Sequence, residues 1–152
     1  MFKCVFKKEK INKQPIKKVY VVGDIIFISY TVDGVYHRTD GPAVYQYYLD
    51  SDDNMVLINK SYYVNGKYHS EHGPAYIDWY RHSQGKCLCT VVYYIEGKKT
   101  RLDGPAWYNY NYNGELIGTR YYINDVQYDE FEFLVASQLY EIKNGKLVKK
   151  GE

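Results

Sequence analysis

Gly34-Val35-Tyr36-His37-Arg38-Thr39-Asp40-Gly41-Pro42-Ala43 is written, with variations, three times in this chain. The second copy is Gly66-Lys67-Tyr68-His69-Ser70-Glu71-His72-Gly73-Pro74-Ala75. The third is Gly97-Lys98-Lys99-Thr100-Arg101-Leu102-Asp103-Gly104-Pro105-Ala106. In each copy the second Gly falls seven residues after the first, and the copies start 32 and then 31 residues apart. Self-similarity at such a period marks a repeat architecture, whose units bury their apolar faces against one another. Repeats of this kind build surfaces more readily than active sites.

Upstream of the first Gly the copies stay aligned. Tyr30, Tyr62 and Tyr93 stand four residues before it, and Val32, Val64 and Ile95 two residues before it. A worn fourth copy keeps Tyr121 and Ile123 and puts Asp125 in the Gly place. Positions two apart share a strand face. The spacing therefore predicts a buried row of Tyr and Val/Ile, continued upstream by Ile26, Ile58, Cys89 and Ile117. The opposite face, with Ser29, Thr31, Ser61, Tyr63, Tyr94, Arg120 and Tyr122, is expected to be wet.

Downstream of Gly-Pro-Ala the strands Ala43-Tyr45-Tyr47, Ala75-Ile77-Trp79 and Ala106-Tyr108-Tyr110 alternate, and the Ala row is expected to face the core. Asp33-Gly34 and Asn65-Gly66 are turn pairs that tolerate positive φ. Pro42, Pro74 and Pro105 remove a backbone donor and belong at the start of a strand or at an edge. Loops Leu49–Met55, Arg81–Cys87 and Asn111–Glu115 differ in sequence and are candidate specificity elements.

The fold class follows: all-β, an antiparallel meander of stacked β-hairpin repeats with a short C-terminal capping helix. The chain reads as one domain of 152 residues. Residues 1–25 form a basic strand or hairpin cap, 26–128 three repeats and a degenerate fourth, and 129–152 a helix cap and basic tail. Phe131, Leu134, Val135 and Leu139 are predicted to share the core-facing side of that helix. Lys143-Asn144-Gly145-Lys146 reads as a final turn before a frayed end.

Composition narrows the classes. Tyr supplies 20 residues against five Phe and two Trp, which favours strands carrying hydroxyls that must be paired or wet. Nothing approaches a membrane span, and Met1–Lys8 lacks a signal-peptide pattern. Three Cys fit a reducing cytoplasm better than a disulfide framework. Residues 1–18 carry seven Lys and one Glu, whereas residues 19–140 hold nine Lys/Arg and fifteen Asp/Glu. So acidic a body argues against tracking duplex nucleic acid. Open sheet edges favour self-association and leave a homodimer open.

The string His37-Arg38-Thr39-Asp40-Gly41-Pro42-Ala43, with Tyr62-Tyr63-Val64-Asn65-Gly66-Lys67, resembles the repeats of tailed-phage and giant-virus proteins, and more distantly the MORN-type β-hairpin repeats. The resemblance covers roughly residues 26–128. Copy three departs from it at Thr100, and copy two at His72. It implies a viral protein acting in a host cytoplasm.

His37 and Asp40 could serve as a general base and its carboxylate. An active site needs one copy, however, and a structural cap needs all, so these side chains are expected to bond the adjoining turn. His69, His72, Cys87 and Cys89 offer four zinc-type ligands, although Cys-x-Cys is a less usual spacing and Cys89 aligns with core aliphatics. No nucleotide-hydrolase, dinucleotide, serine-hydrolase or zincin motif occurs. No cofactor and no reaction are expected. Tyr48, Tyr76, Asp78, Tyr80, Trp107 and Asn109 mix aromatic planes with amide and carboxylate groups, which suits a protein hot spot, stacking on a nucleobase, or a wet sheet face lined by tyrosines that pair across strands. A host protein is the expected partner. The alternative is a small nucleotide ligand, with Lys98, Lys99, Arg101 and Arg120 on its phosphates.

Overall fold

The computed structural model describes residues 13–82 and 85–151; the first twelve residues of the basic N-terminal segment and Ser83-Gln84 of the middle loop lie outside them. The chain begins β1 (Ile16–Val22), β2 (Ile25–Val32) and β3 (Val35–Tyr36). It continues β4 (Val44–Leu49), β5 (Met55–Ser61), β6 (Tyr63–Val64) and β7 (Lys67–Tyr68). Next come β8 (Tyr76–His82), β9 (Gly85–Val92), β10 (Tyr94–Ile95) and β11 (Lys98–Lys99). The last repeat holds β12 (Trp107–Tyr110), β13 (Leu116–Ile123) and β14 (Val126–Tyr128). Helix α1 (Glu130–Ala136), a 3-10 turn (Ser137–Leu139), β15 (Tyr140–Lys143) and β16 (Lys146–Lys149) close the chain.

The architecture is the expected antiparallel meander. The long strands lie in the order β1-β2-β4-β5-β8-β9-β12-β13, and β13 then pairs with β14. Among the described residues no pairing closes this sheet into a barrel. Between β2 and β4, β5 and β8, and β9 and β12 the chain makes a short tip hairpin and then returns through the Gly-to-Gly link.

Each tip turns on two residues with positive φ: Asp33-Gly34, Asn65-Gly66, Glu96-Gly97 and Asn124-Asp125. That pair of left-handed residues matches the twist of a two-residue hairpin. Asp125, at φ 67°, adopts without glycine the conformation that Gly34, Gly66 and Gly97 hold in the other tips.

Neighbouring repeats are joined by three equivalent backbone bonds. Gly66 N donates to Tyr36 O (2.8 Å), Gly97 N to Tyr68 O (2.8 Å) and Asp125 N to Lys99 O (3.0 Å). Two further sets tie the Ala of each Gly-Pro-Ala into the sheet. Tyr30, Tyr62 and Tyr93 donate to the carbonyls of Ala43, Ala75 and Ala106, each at 2.8 Å. The same three Ala donate onward to Ser61, Val92 and Arg120, each at 2.9 Å. All three Ala are fully buried, as the pattern required. A larger side chain there would overpack the strand crossing, at a cost of about 1–3 kcal/mol.

The opposite face departs from the sequence reading. Ser29, Thr31 and Ser61, expected to be wet, are 3%, 6% and 2% exposed. They are small side chains beside large ones: Thr31 pairs with Tyr36, and Ser61 lies between Val44 and Tyr76. Both faces therefore carry buried residues. The predicted aliphatic row also breaks. Bulges separate Asn59 from Leu57, Thr90 from Leu88 and Gly118 from Leu116, so Ile58, Cys89 and Ile117 become the extra residues of three equivalent irregularities. An inserted residue reverses which side chains face the core. Ile117 is accordingly 60% exposed.

Two loops that differ in sequence have one structure. Asp50 Oδ1 accepts from the N–H groups of Asp52 and Asn54, and Asn111 Oδ1 from those of Asn113 and Glu115, at 2.9–3.0 Å. These are Asx-type turns, in which the side chain stands in for backbone.

The C-terminal helix forms, but on a different side. Its capping box is complete: Asp129 Oδ1 accepts from Glu132 N, and Glu132 Oε2 from Asp129 N. Phe133 is the buried residue, at 4.7 Å from the Tyr121 ring. Phe131, Leu134, Val135 and Leu139 point outward, at 76%, 56%, 57% and 51% exposure. The expected frayed tail is strand β16, paired with β15 around Asn144-Gly145. Phe133→Ala should cost about 3–5 kcal/mol by leaving a cavity under Tyr121. Phe131→Ala should stay within about 0.5 kcal/mol. Denaturant unfolding of the two variants measures this, and equal losses would contradict the placement.

Candidate binding face

The polar side chains of the Gly-to-Gly links are engaged within the repeat frame. His37 Nδ1 lies 3.1 Å from the N–H of Asn65, and His69 Nδ1 lies 3.2 Å from that of Glu96. Thr100 Oγ1 accepts from Asn124 N at 3.0 Å. One position, filled by His, His and Thr, thus caps the next repeat's turn in every copy. Thr100 does the work of an imidazole because only an acceptor is needed.

The link arginines form clamps. Arg38 Nε donates to Asp40 at 2.7 Å, and its guanidinium stacks on Tyr30 at 4.1 Å. Arg101 repeats this with Asp103 at 2.6 Å and Tyr93 at 4.2 Å, and also donates to Tyr108 Oη at 2.8 Å. These ion pairs lie within a link, two residues apart. The Arg38 hydrogen bond holds the Asp40 carboxyl below its ordinary value, and Arg101 does the same for Asp103.

The face opposite the Ala row gathers most of the predicted contact residues. One cross-strand row runs Ser29, Val44, Ser61, Tyr76, Val92, Trp107, Arg120. The next runs Phe27, Gln46, Asn59, Asp78, Thr90, Asn109, Gly118. Tyr76, Asp78, Tyr80, Trp107 and Asn109 are half-buried, whereas Tyr48 is 8% exposed and belongs to the core. Arg120 lies over the Trp107 ring at 4.6 Å, and Tyr80 packs on Tyr112 at 4.2 Å. Tyr36, Tyr63, Tyr68 and Tyr94 form a continuous stack across the tips, and Tyr68 meets Tyr76 edge-on at 5.9 Å. Such aromatic pairs add about 0.5–1.5 kcal/mol each beyond the area they bury.

Sequence reasoning missed the polar floor of this face. Ser61 Oγ donates to Asn59 Oδ1 at 2.9 Å, and Asn59 in turn bonds Asp78. Thr90 Oγ1 donates to Asn109 Oδ1 at 3.4 Å. The bulge turns Cys89 toward Thr90, Tyr80 and Asp78, away from the aliphatic core assigned to it. Burial pushes the Tyr76 hydroxyl up to about 12, with the Asp78 carboxylate adding to it.

The alternative site residues do not converge. Lys98 and Lys99 alternate across β11, Lys99 lies 5.1 Å above the Tyr122 ring, Arg101 is clamped, and Arg120 covers Trp107. The four zinc-type residues also separate. His69 caps a tip turn, while Cys87 Sγ lies 2.9 Å from the Tyr112 carbonyl in a loop at the other end of the strands. Among the described residues no group of three or more His, Cys, Asp and Glu is placed to hold a metal ion. Nor is any described helix long and apolar enough to cross a membrane. Comparison of the chain with known protein families, curated proteins and solved structures gave no match.

Burial raises the Asp78 carboxyl above its ordinary value of 3.8. Such a group favours the folded state only while protonated, so stability falls as pH rises through the folded value. Asp78→Asn should therefore raise Tm at neutral pH, with the gain shrinking in acid and absent well below 3.8. A variant less stable at neutral pH would contradict this burial cost.

Proposed function

We propose that this chain is a non-catalytic binding protein, docking on a host protein through the face that carries Tyr76, Asp78, Tyr80, Trp107 and Asn109. The observation behind this reading is a division of labour. In the links, His37, His69 and Thr100 each cap a turn, and the arginines and aspartates of copies one and three are clamped to each other. The aromatic-polar face is not repeated: the row position of Tyr76 and Trp107 is Val44 in copy one, and that of Asp78 and Asn109 is Gln46. A surface varied over a constant frame is how repeat proteins acquire specificity. Trp107, beneath Arg120 and beside this polar band, has the composition of an interface anchor. The viral setting and the host as source of the partner rest on the resemblance of the repeat, and the host cytoplasm is the setting it suggests.

Affinity capture from host lysate, followed by titration of the co-eluting protein, tests the proposal. Trp107→Ala should weaken binding about 10-fold or more while the circular dichroism of the variant stays native. Phe131→Ala, far out on the helix, should bind as the parent does. Loss of binding in Phe131→Ala with retention in Trp107→Ala would move the interface to the helix and refute the assignment.

A further inference from the structure

Copy two lacks the clamp that copies one and three share. Ser70 stands in the place of Arg38 and Arg101, His72 in that of Asp40 and Asp103, and Ile77 in that of Tyr45 and Tyr108. The arginine and its carboxylate are lost together, as expected of two groups that exist for each other. The frame around them is kept: Tyr62 N donates to Ala75 O at 2.8 Å, as Tyr30 and Tyr93 donate to their own Ala. Tyr62 and Pro74 therefore stand where Tyr30 and Pro42 hold the Arg38 guanidinium.

The volume is open. A cleft of about 820 Å³ lies over Tyr62, Ser70, His72, Pro74 and Ile77. The link of copy one walls it on one side and Asn144-Gly145-Lys146 of the terminal hairpin on the other. Gly145 is fitted to this wall: it has φ 72°, and a Cβ there would meet Glu71 Oε1 at 2.8 Å. Glu71 replaces Thr39 and Leu102 of the other copies, so a carboxylate is present one residue from where the clamp aspartate would be. His69 Nε2 lies 3.8 Å from its Oε1.

We propose that the copy-two cleft binds a guanidinium group, laid on the Tyr62 ring and hydrogen-bonded to the Pro74 carbonyl and the Glu71 carboxylate. The chain itself shows that chemistry twice, in Arg38 on Tyr30 with the Pro42 carbonyl at 3.4 Å, and in Arg101 on Tyr93 with the Pro105 carbonyl at 3.5 Å. A planar cation can stack and fork at once, which an ammonium cannot. Internal competitors are Lys60, Lys67 and Lys146, which also line the cleft; Lys60 replaces Ile28 and Val91 of the other copies.

The full chain would be titrated with agmatine, with a capped Gly-Arg-Gly peptide and with a capped Gly-Lys-Gly peptide, following the Tyr62 and Gly145 signals by NMR. Saturable shifts with both guanidinium probes, and weaker ones with the lysine peptide, are expected. Tighter binding of agmatine would identify a small-molecule source, and tighter binding of the arginine peptide a protein side chain. Ser70→Arg/His72→Asp, which rebuilds the internal clamp, should abolish the shifts. Glu71→Gln should weaken them, and it decides the matter if the double variant fails to fold. The proposal is overturned by no shift with either guanidinium probe, by equal binding of the lysine peptide, by shifts that survive the rebuilt clamp or are unchanged in Glu71→Gln, or by binding that appears only in Lys60→Met.

Discussion

Everything in this molecule depends on the seam where one repeat's link meets the next repeat's tip. A tip hairpin of two residues on each side of its turn is too small to hold itself. It is held because its turn glycine, or Asp125, donates to the previous tip, and because a link side chain caps the preceding N–H. The seam also fixes the spacing of the long strands, since each link ends in an Ala that bonds both the long strand before the link and the strand that follows its own. Register in the sheet and register among the tips are then one constraint.

Onto that seam the chain places two kinds of side chain. Arg38 and Arg101 are flat cations over tyrosine rings, and their carboxylates lie within the same link, so each clamp is assembled locally. Exposed pairs of this sort contribute little to stability. Their loss from copy two is therefore tolerable for folding, and the frame there is unchanged. Loss of the Ala row would not be, because that row is where strands cross with no room to spare.

The repeat and its turns were legible in the sequence because they are local. Gly34, Gly66 and Gly97 mark left-handed positions, and the Gly-Pro-Ala that follows marks the start of a strand. The interchange of His and Thr100 was legible too, as a position that repeats a role and not a residue. What stayed hidden was set by single-residue offsets or by distant partners. Nothing about Ile58, Cys89 or Ile117 announces a bulge, yet each shifts the residues upstream of it to the other face. Phe133 and Phe131 are two residues apart in a short amphipathic stretch, and the choice between them is made by Tyr121. The cleft needed both the missing arginine, visible at Ser70, and the terminal hairpin that walls it, of which only the turn Lys143–Lys146 was legible and not the pairing of its strands.

Native-state hydrogen exchange at Asn65, Glu96 and Asn124 tests the seam most directly. These three N–H groups sit at exposed turn tips, where free amides exchange quickly. If His37, His69 and Thr100 cap them, all three are protected to a similar degree, and His37→Ala releases Asn65 alone. Exchange of all three at the rate of an unstructured peptide would contradict the account.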